Sequence, residues 1–340
     1  MDSGHIVFFS IGIGHKLSLE IRLLHNHLDN LKAFYIAKAG IQRVIAERVI
    51  PFRENRVVYN DGFNQPWLNN EALFKGAAFG EGAYTVENQD AVGIYGMSDE
   101  QAKININKAD FVLLKTLFMQ HLQSDAESAN IAAAVIDWRD KDTSVYQDPA
   151  TNILIGAEGA YYQAQDKPYC AKDADFDAIE EILLVKDVTP EIFHSIKNYI
   201  TVYGNGTINI NTAPRVVLVS VLGDKIADYI INFRQPDANL FGERWFIAVN
   251  PNEPIALDTN KIRNIRDDNP DPALGDTETE RNDLWNQLRT KELGGIIGVG
   301  SSVFKINSAG QVKGMNSNIE AVVEFTGTSG ACKFISWHQY

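Results

Sequence analysis

Residues 5–50 repeat apolar side chains at helical spacing. Phe9, Ile13, Leu17, Leu24, Leu28, Leu31 and Tyr35 lie three, four or seven positions apart, which sets them on one stripe of a single helix. Pro51 ends the run. A helix this long is several times the ordinary length of about 11–12 residues. It predicts a stalk, a coiled coil or an anchor, or a long amphipathic helix lying on a sheet. Ala33, Ala37 and Gly40 carry little or no side chain and would let another helix or a sheet approach closely. Residues 6–13 form an apolar run, but a bilayer span needs roughly 20 residues. The expectation is that an intact gene product extends upstream of Met1 and completes the span.

Beyond residue 55 the texture changes. Gly, Asn and Pro punctuate short apolar stretches at 56–59, 83–87 and 91–95, which read as strands with turns. Residues 302–307 and 319–326 are also strand-like, joined through Gly310 and Gly314, and 333–337 would form a last strand. Between these parts the patterns are helical, at 111–122, 126–139, 176–186, 190–203, 215–222 and 224–234. Asp177 with Glu180 resembles a capping box. Thr189 before Pro190 is an N-cap followed by proline at the first helical position. The order predicts an α+β fold: a helix over 1–50, an antiparallel sheet from 51–106 and 301–340, and an inserted all-α domain over 107–300. Residues 264–280, with Asn269-Pro270, Asp271-Pro272 and several acids, read as a long loop.

One segment recurs. Ile104-Asn105-Ile106-Asn107-Lys108-Ala109 returns as Ile208-Asn209-Ile210-Asn211-Thr212-Ala213, each copy followed by an apolar helix pattern. The second copy runs through Leu222-Gly223 into Ala227, Ile230 and Ile231, which resembles a helix-hairpin-helix unit. DNA-binding hairpins of that type present glycine amides to phosphate. Here Asp224 and Lys225 follow the single Gly223, and the first copy has no such glycine. A formal net charge of -13 also opposes phosphate binding. The repeat therefore predicts packing rather than nucleic-acid recognition.

Enzyme motifs are missing. The sequence has no HExxH, no GxSxG and no phosphate-loop lysine. Gly294 to Gly300 is glycine-rich but leads into a strand pattern, not a helix, and reads as a hinge. His25 and His27 point to different faces of a helix and make a poor ligand pair. Cys170 and Cys332 lack metal-ligand spacing and could pair or stay as separate thiols. The strongest chemical cluster is Asp137-Trp138-Arg139-Asp140-Lys141-Asp142, with Asp148 and Glu158 downstream. Carboxylates this dense repel one another unless solvated, paired or holding a cation, and hard oxygen ligands favour calcium. Asp137, Asp140, Asp142 and Glu158 form the candidate metal set. The alternative is that Asp137 bonds backbone at a turn while Asp140 and Asp142 are solvated or paired with Arg139. The run Asp173-Ala174-Asp175-Phe176-Asp177 looks superficially like a calcium loop but lacks the expected glycine and glutamate.

An ordered set of segments resembles the general secretion pathway protein K family. It comprises Ala37-Lys38-Ala39-Gly40, Pro66-Trp67, 103–107, 134–140, 156–162, Lys167-Pro168-Tyr169, 176–186, 208–213 and 302–310. The resemblance implies a pilin-like fold with a large helical insertion. It further implies a non-enzymatic minor pseudopilin at the tip of a type II secretion pseudopilus, with I- and J-type minor pseudopilins as partners. It also implies calcium in an acidic loop region, and an inner-membrane anchor with the head facing the periplasm. Family members are made with a leader and a full hydrophobic span, where this sequence departs. A helix-hairpin-helix DNA-binding protein and a secreted calcium-dependent hydrolase are the alternatives.

Overall fold

A computed structural model describes residues 3–53, 61–63, 65–234, 277–326 and 331–340. In chain order the helices are α1 (Ser3–Arg53), α2 (Glu71–Phe74), α3 (Phe111–Leu122), α4 (Asp125–Arg139), α5 (Gly159–Gln163), α6 (Pro190–Ile196), α7 (Arg215–Leu222), α8 (Asp224–Arg234) and α9 (Glu278–Leu293). The strands are β1 (Ala77–Phe79), β2 (Gly82–Glu87), β3 (Ser98–Asp99), β4 (Ile104–Asn105), β5 (Ile200–Thr201), β6 (Ile208–Asn209), β7 (Ile297–Gly298), β8 (Val303–Val312), β9 (Met315–Thr326) and β10 (Ala331–Gln339). The chain divides into two compact units. The first holds 1–56, 65–98 and 305–340, and the second holds 57–64 and 99–304.

In the first unit an antiparallel sheet of order β1-β2-β8-β9-β10 carries α1 on one face. Ala33, Ile36, Ala37, Ile41 and Val44 are buried there. The approach is close because glycines face each other's elements. A Cβ at Gly310 of β8 would lie 2.1 Å from the Ala33 carbonyl oxygen, and one at Gly40 would lie 2.4 Å from Ser308 Oγ. Ser308 Oγ donates to the Ala37 carbonyl at 2.8 Å. The small residues of α1 thus seat it on its own sheet. Leu17, Leu24, Leu28, Leu31 and Tyr35 are exposed, so that stripe does not pack on the sheet. The side chains of Phe9 and Ile13 lie outside the description. Among the described residues no helix is long and apolar enough to cross a membrane.

Three expected elements differ. Residues 91–95 form turns, because Asn88 Oδ1 accepts the Asp90 and Ala91 amides at 2.8 and 3.1 Å and curls the chain. Over 176–186 only a 3₁₀ stretch, Ile179–Leu184, forms. Asp177 does not cap it; its carboxylate pairs with Lys172 at 2.7 Å. α6 stops at Ile196, and Ile200 and Thr201 leave it to pair with β4. The expected strand at 56–59 and most of the loop at 264–280 lie outside the described residues.

In the second unit the repeated segment has one local structure twice. β4 pairs parallel with β5, and β6 pairs parallel with β7. Asn105 Oδ1 accepts the Asn107 amide at 2.8 Å, and Asn209 Oδ1 accepts that of Asn211 at 3.0 Å. The first copy opens the α3–α4 hairpin, which turns through Gln123 in a left-handed conformation (φ 56°). The second opens α7–α8, which turns through Gly223 (φ 76°). α3 packs on α4 and α7, burying Leu114, Phe118, Ile131, Val135 and Leu218. Asp99 lies in a buried polar knot, its Oδ2 accepting from Asn209 (2.8 Å), Thr212 (2.5 Å) and Ser301 (2.7 Å).

Candidate metal centre

The acidic cluster begins at the C-terminal end of α4. That helix is fixed by its buried face, which includes Ile131, Ala132, Val135 and Trp138. Trp138 packs edge-on to Tyr162 with ring centres 5.1 Å apart. Ser124 caps the other end by accepting the Glu127 amide. Arg139 does not pair with the acids. Its guanidinium donates to the carbonyls of Ile106 and Ala109 and ties α4 to the first repeat.

Asp140 ends the helix, its amide donating to the Ile136 carbonyl at 3.0 Å. Asp142 follows in a turn, with Oδ1 accepting the Ser144 amide at 2.7 Å. Glu158 returns from the next loop as the N-cap of α5. Each of the three offers one carboxylate oxygen, and these atoms lie within 4.8 Å of one another. Asp140 Oδ1 and Glu158 Oε1 are buried without a hydrogen-bond partner. Burial, then the charge of Asp142, raises the Asp140 carboxyl above its ordinary value. Burial is also the main cause for Glu158, with Asp140, Asp173 and Asp142 adding repulsion.

Asp137 does not join them. Its buried side chain accepts the Tyr146 amide on Oδ1 at 3.0 Å and the Ala157 amide on Oδ2 at 2.8 Å. Burial pushes its pKa up to about 7 despite those two bonds. Asp173 is the acid that sequence spacing did not attach to this cluster. It raises both Asp140 and Glu158 by repulsion, and its amide donates to the Trp138 carbonyl at 3.1 Å. Its own DxD run was the only signal.

Three converging carboxylates, two with bare buried oxygens, are costly as an anion cluster and suited to a hard cation. An all-oxygen set fits calcium better than zinc or copper, which favour nitrogen and sulfur. Asp148 stands apart, its carboxylate accepting from Ala150 and Thr151. Cys170 and Cys332 are free thiols.

Residues 94–205 match the family model for type II secretion system protein K. The chain is 25% identical over 239 residues to type II secretion system protein K of Aeromonas hydrophila, covering 65% of this chain and 68% of that protein. Its fold is similar to a chain in the crystal structure of the GspK-GspI-GspJ complex from the type II secretion system of enterotoxigenic Escherichia coli. That likeness has a TM-score of 0.61 at 15% identity, over 93% of this chain and 99% of the other.

Proposed function

We propose that this chain, which belongs to the type II secretion system protein K family, is the minor pseudopilin that caps the tip of a pseudopilus. The observation that carries the reading is the likeness in fold over 93% of the chain, together with the protein K domain at 94–205. The tip position rests on bulk. Pilin-type subunits stack through their first helices, and here the larger compact unit is inserted into the chain of the sheet-bearing one. A subunit stacked above would have to accommodate that unit.

Its partners would be the I- and J-type minor pseudopilins, reached through the exposed side of α1. Leu24, Leu28, Leu31 and Tyr35 lie there uncovered by the sheet, and an apolar helix stripe is stabilised by a partner that covers it. The head would work on the periplasmic side of the inner membrane. The role is structural and involves no catalytic step. Mixing the protein with its matching I and J partners should give one complex by size exclusion. Three separate species at micromolar concentration, with unchanged pseudopilus assembly after deletion of 107–300, would sink the tip-cap reading.

We further propose that Asp140, Asp142 and Glu158 hold a calcium ion, with Asp173 adding to the local negative potential. The support is the pair of buried carboxylate oxygens that no donor satisfies. Bound calcium would fasten the end of α4 to the start of α5. Because calcium would bind the folded form, it should stabilise by about 2.7 kcal/mol at 100 times its Kd. An unchanged melting temperature at millimolar calcium counts against the site.

A further inference from the structure

The loop between Asp142 and Glu158 is a small hairpin. Gln147 and Leu154 form an antiparallel bridge, and the Ile155 amide donates to the Tyr146 carbonyl at 2.8 Å. Both legs end on a single side chain. Asp137 accepts the Tyr146 amide from the outgoing leg and the Ala157 amide from the returning leg. The carboxylate is 1% exposed and sits one helical turn before Asp140. The returning leg reaches it only because residue 156 is glycine. Gly156 has φ +103°, and a Cβ there would lie 2.3 Å from Asp137 Oδ2. Lys186 Nζ donates to the Gly156 carbonyl at 3.0 Å and holds that leg from the other side.

We infer that Asp137 is a positioning residue for the cation site: it closes the base of this hairpin and so sets Asp142 and Glu158 against Asp140. The inference rests on the calcium reading above. The three acids come from a helix end and the two ends of a loop, and local sequence alone does not bring the loop ends together. A carboxylate with both oxygens engaged can bridge two amides. An amide side chain has one acceptor oxygen and would turn a donor toward the second N–H. Asp137 is therefore needed as an acceptor at both legs, and it does not touch the ion itself. Outer-shell partners of this kind typically change metal affinity by about 10–100-fold.

Calcium titration of the full-length protein by calorimetry tests this, at a temperature where every variant is folded. Asp137→Asn should weaken calcium binding by about 10–100-fold. Gly156→Ala keeps Asp137 but displaces it, and should weaken binding too, so the test survives if Asp137→Asn does not fold. Ser124→Ala removes the cap at the far end of α4 and should lower the melting temperature without changing calcium affinity. In calcium-free protein, hydrogen exchange at Tyr146 and Ala157 should speed up in Asp137→Asn. Wild-type affinity in Asp137→Asn overturns the inference, as does equal weakening in Ser124→Ala. If the wild-type protein takes up no calcium, the metal reading itself fails, and this inference with it.

Discussion

Gly310→Ala is the most informative single substitution in the first unit. In an ordinary strand, alanine would be favoured over glycine by roughly 0.5–1 kcal/mol through backbone entropy. Here a Cβ would sit 2.1 Å from the Ala33 carbonyl oxygen and 2.4 Å from the Ala37 amide nitrogen, both backbone atoms of α1. Neither can rotate away. Side-chain Cβ atoms essentially never approach below 3.0 Å, so α1 must retreat from β8 by about 1 Å. A gap of that size forfeits up to about half of the dispersion well for each atom pair across it. The loss falls on Ala33, Ile36, Ala37, Ile41 and Val44, all buried at this contact. Overpacking of this kind costs about 1–3 kcal/mol, and we expect the upper end. Because the chain has two compact units, a local probe separates a loss in the first from the stability of the second. The assay is native-state hydrogen exchange at β8 and β9. Gly314→Ala provides the contrast: its φ is +86° with nothing within 4 Å, so it should cost only about 1–2 kcal/mol, from backbone strain. Protection in Gly310→Ala within 0.5 kcal/mol of wild type would refute the close-packing argument.

Glu158→Gln should abolish the calcium-dependent rise in melting temperature and, without calcium, relieve repulsion with Asp140 and Asp142; scanning calorimetry reads both. Calcium affinity should fall as pH is lowered, because burial raises Asp140 and Glu158 and protons then compete for the same oxygens. A pH-independent Kd would contradict this. Burial raises Asp99 and Asp137 from the ordinary carboxyl value of 3.8 to about 6 and about 7. Between the unfolded and folded values the native state holds protons that the unfolded state has released. Their stabilising contribution is therefore full below about pH 4 and lost as pH rises through about 6 and about 7, so calcium-free denaturant midpoints should decline over that window. Thr189→Ala removes the α6 cap and should cost about 1 kcal/mol, measured by urea denaturation.

The long helix and the strands expected at 302–307 and 319–326 were legible because side-chain periodicity is strong there, although β8 and β9 run on to Val312 and back to Met315, so Gly310 lies within a strand and not in the connection. The small residues Ala33, Ala37 and Gly40 correctly signalled close approach, and the sheet beneath them is the element that approaches. Residues 91–95 misled because Ala91, Val92, Ile94 and Tyr95 look like a strand, while one side chain, Asn88, bends the chain that leads into them. The pairings of β4 with β5 and β6 with β7 left no trace, since two-residue parallel bridges have no period to read. At the acidic cluster, the sequence pointed to the region and offered backbone bonding as the alternative role of Asp137, which its two amide bonds bear out, but it did not separate that role from the metal set. Asp137 and Asp140 are three apart on paper, yet one carboxylate is enclosed by backbone amides and the other ends at a bare oxygen. Asp173 lies far along the chain, and only the return of the backbone past Trp138 makes it a neighbour.

The register of β2 against β8 sets a clock on synthesis. Glu87 aligns with Asn307, and Tyr84 with Gly310. Those partners emerge from the ribosome only after the whole intervening segment, which at about 5–20 residues per second takes on the order of 10–40 s. The repeat imposes a second delay, since Ile104 waits for Ile200 and Ile208 for Ile297. Neither unit can close from its N-terminal end. Until the last strands arrive, the sheet-facing side of α1 has only the β1–β2 hairpin to lie on, and the apolar residues that β9 covers need shielding from other nascent chains.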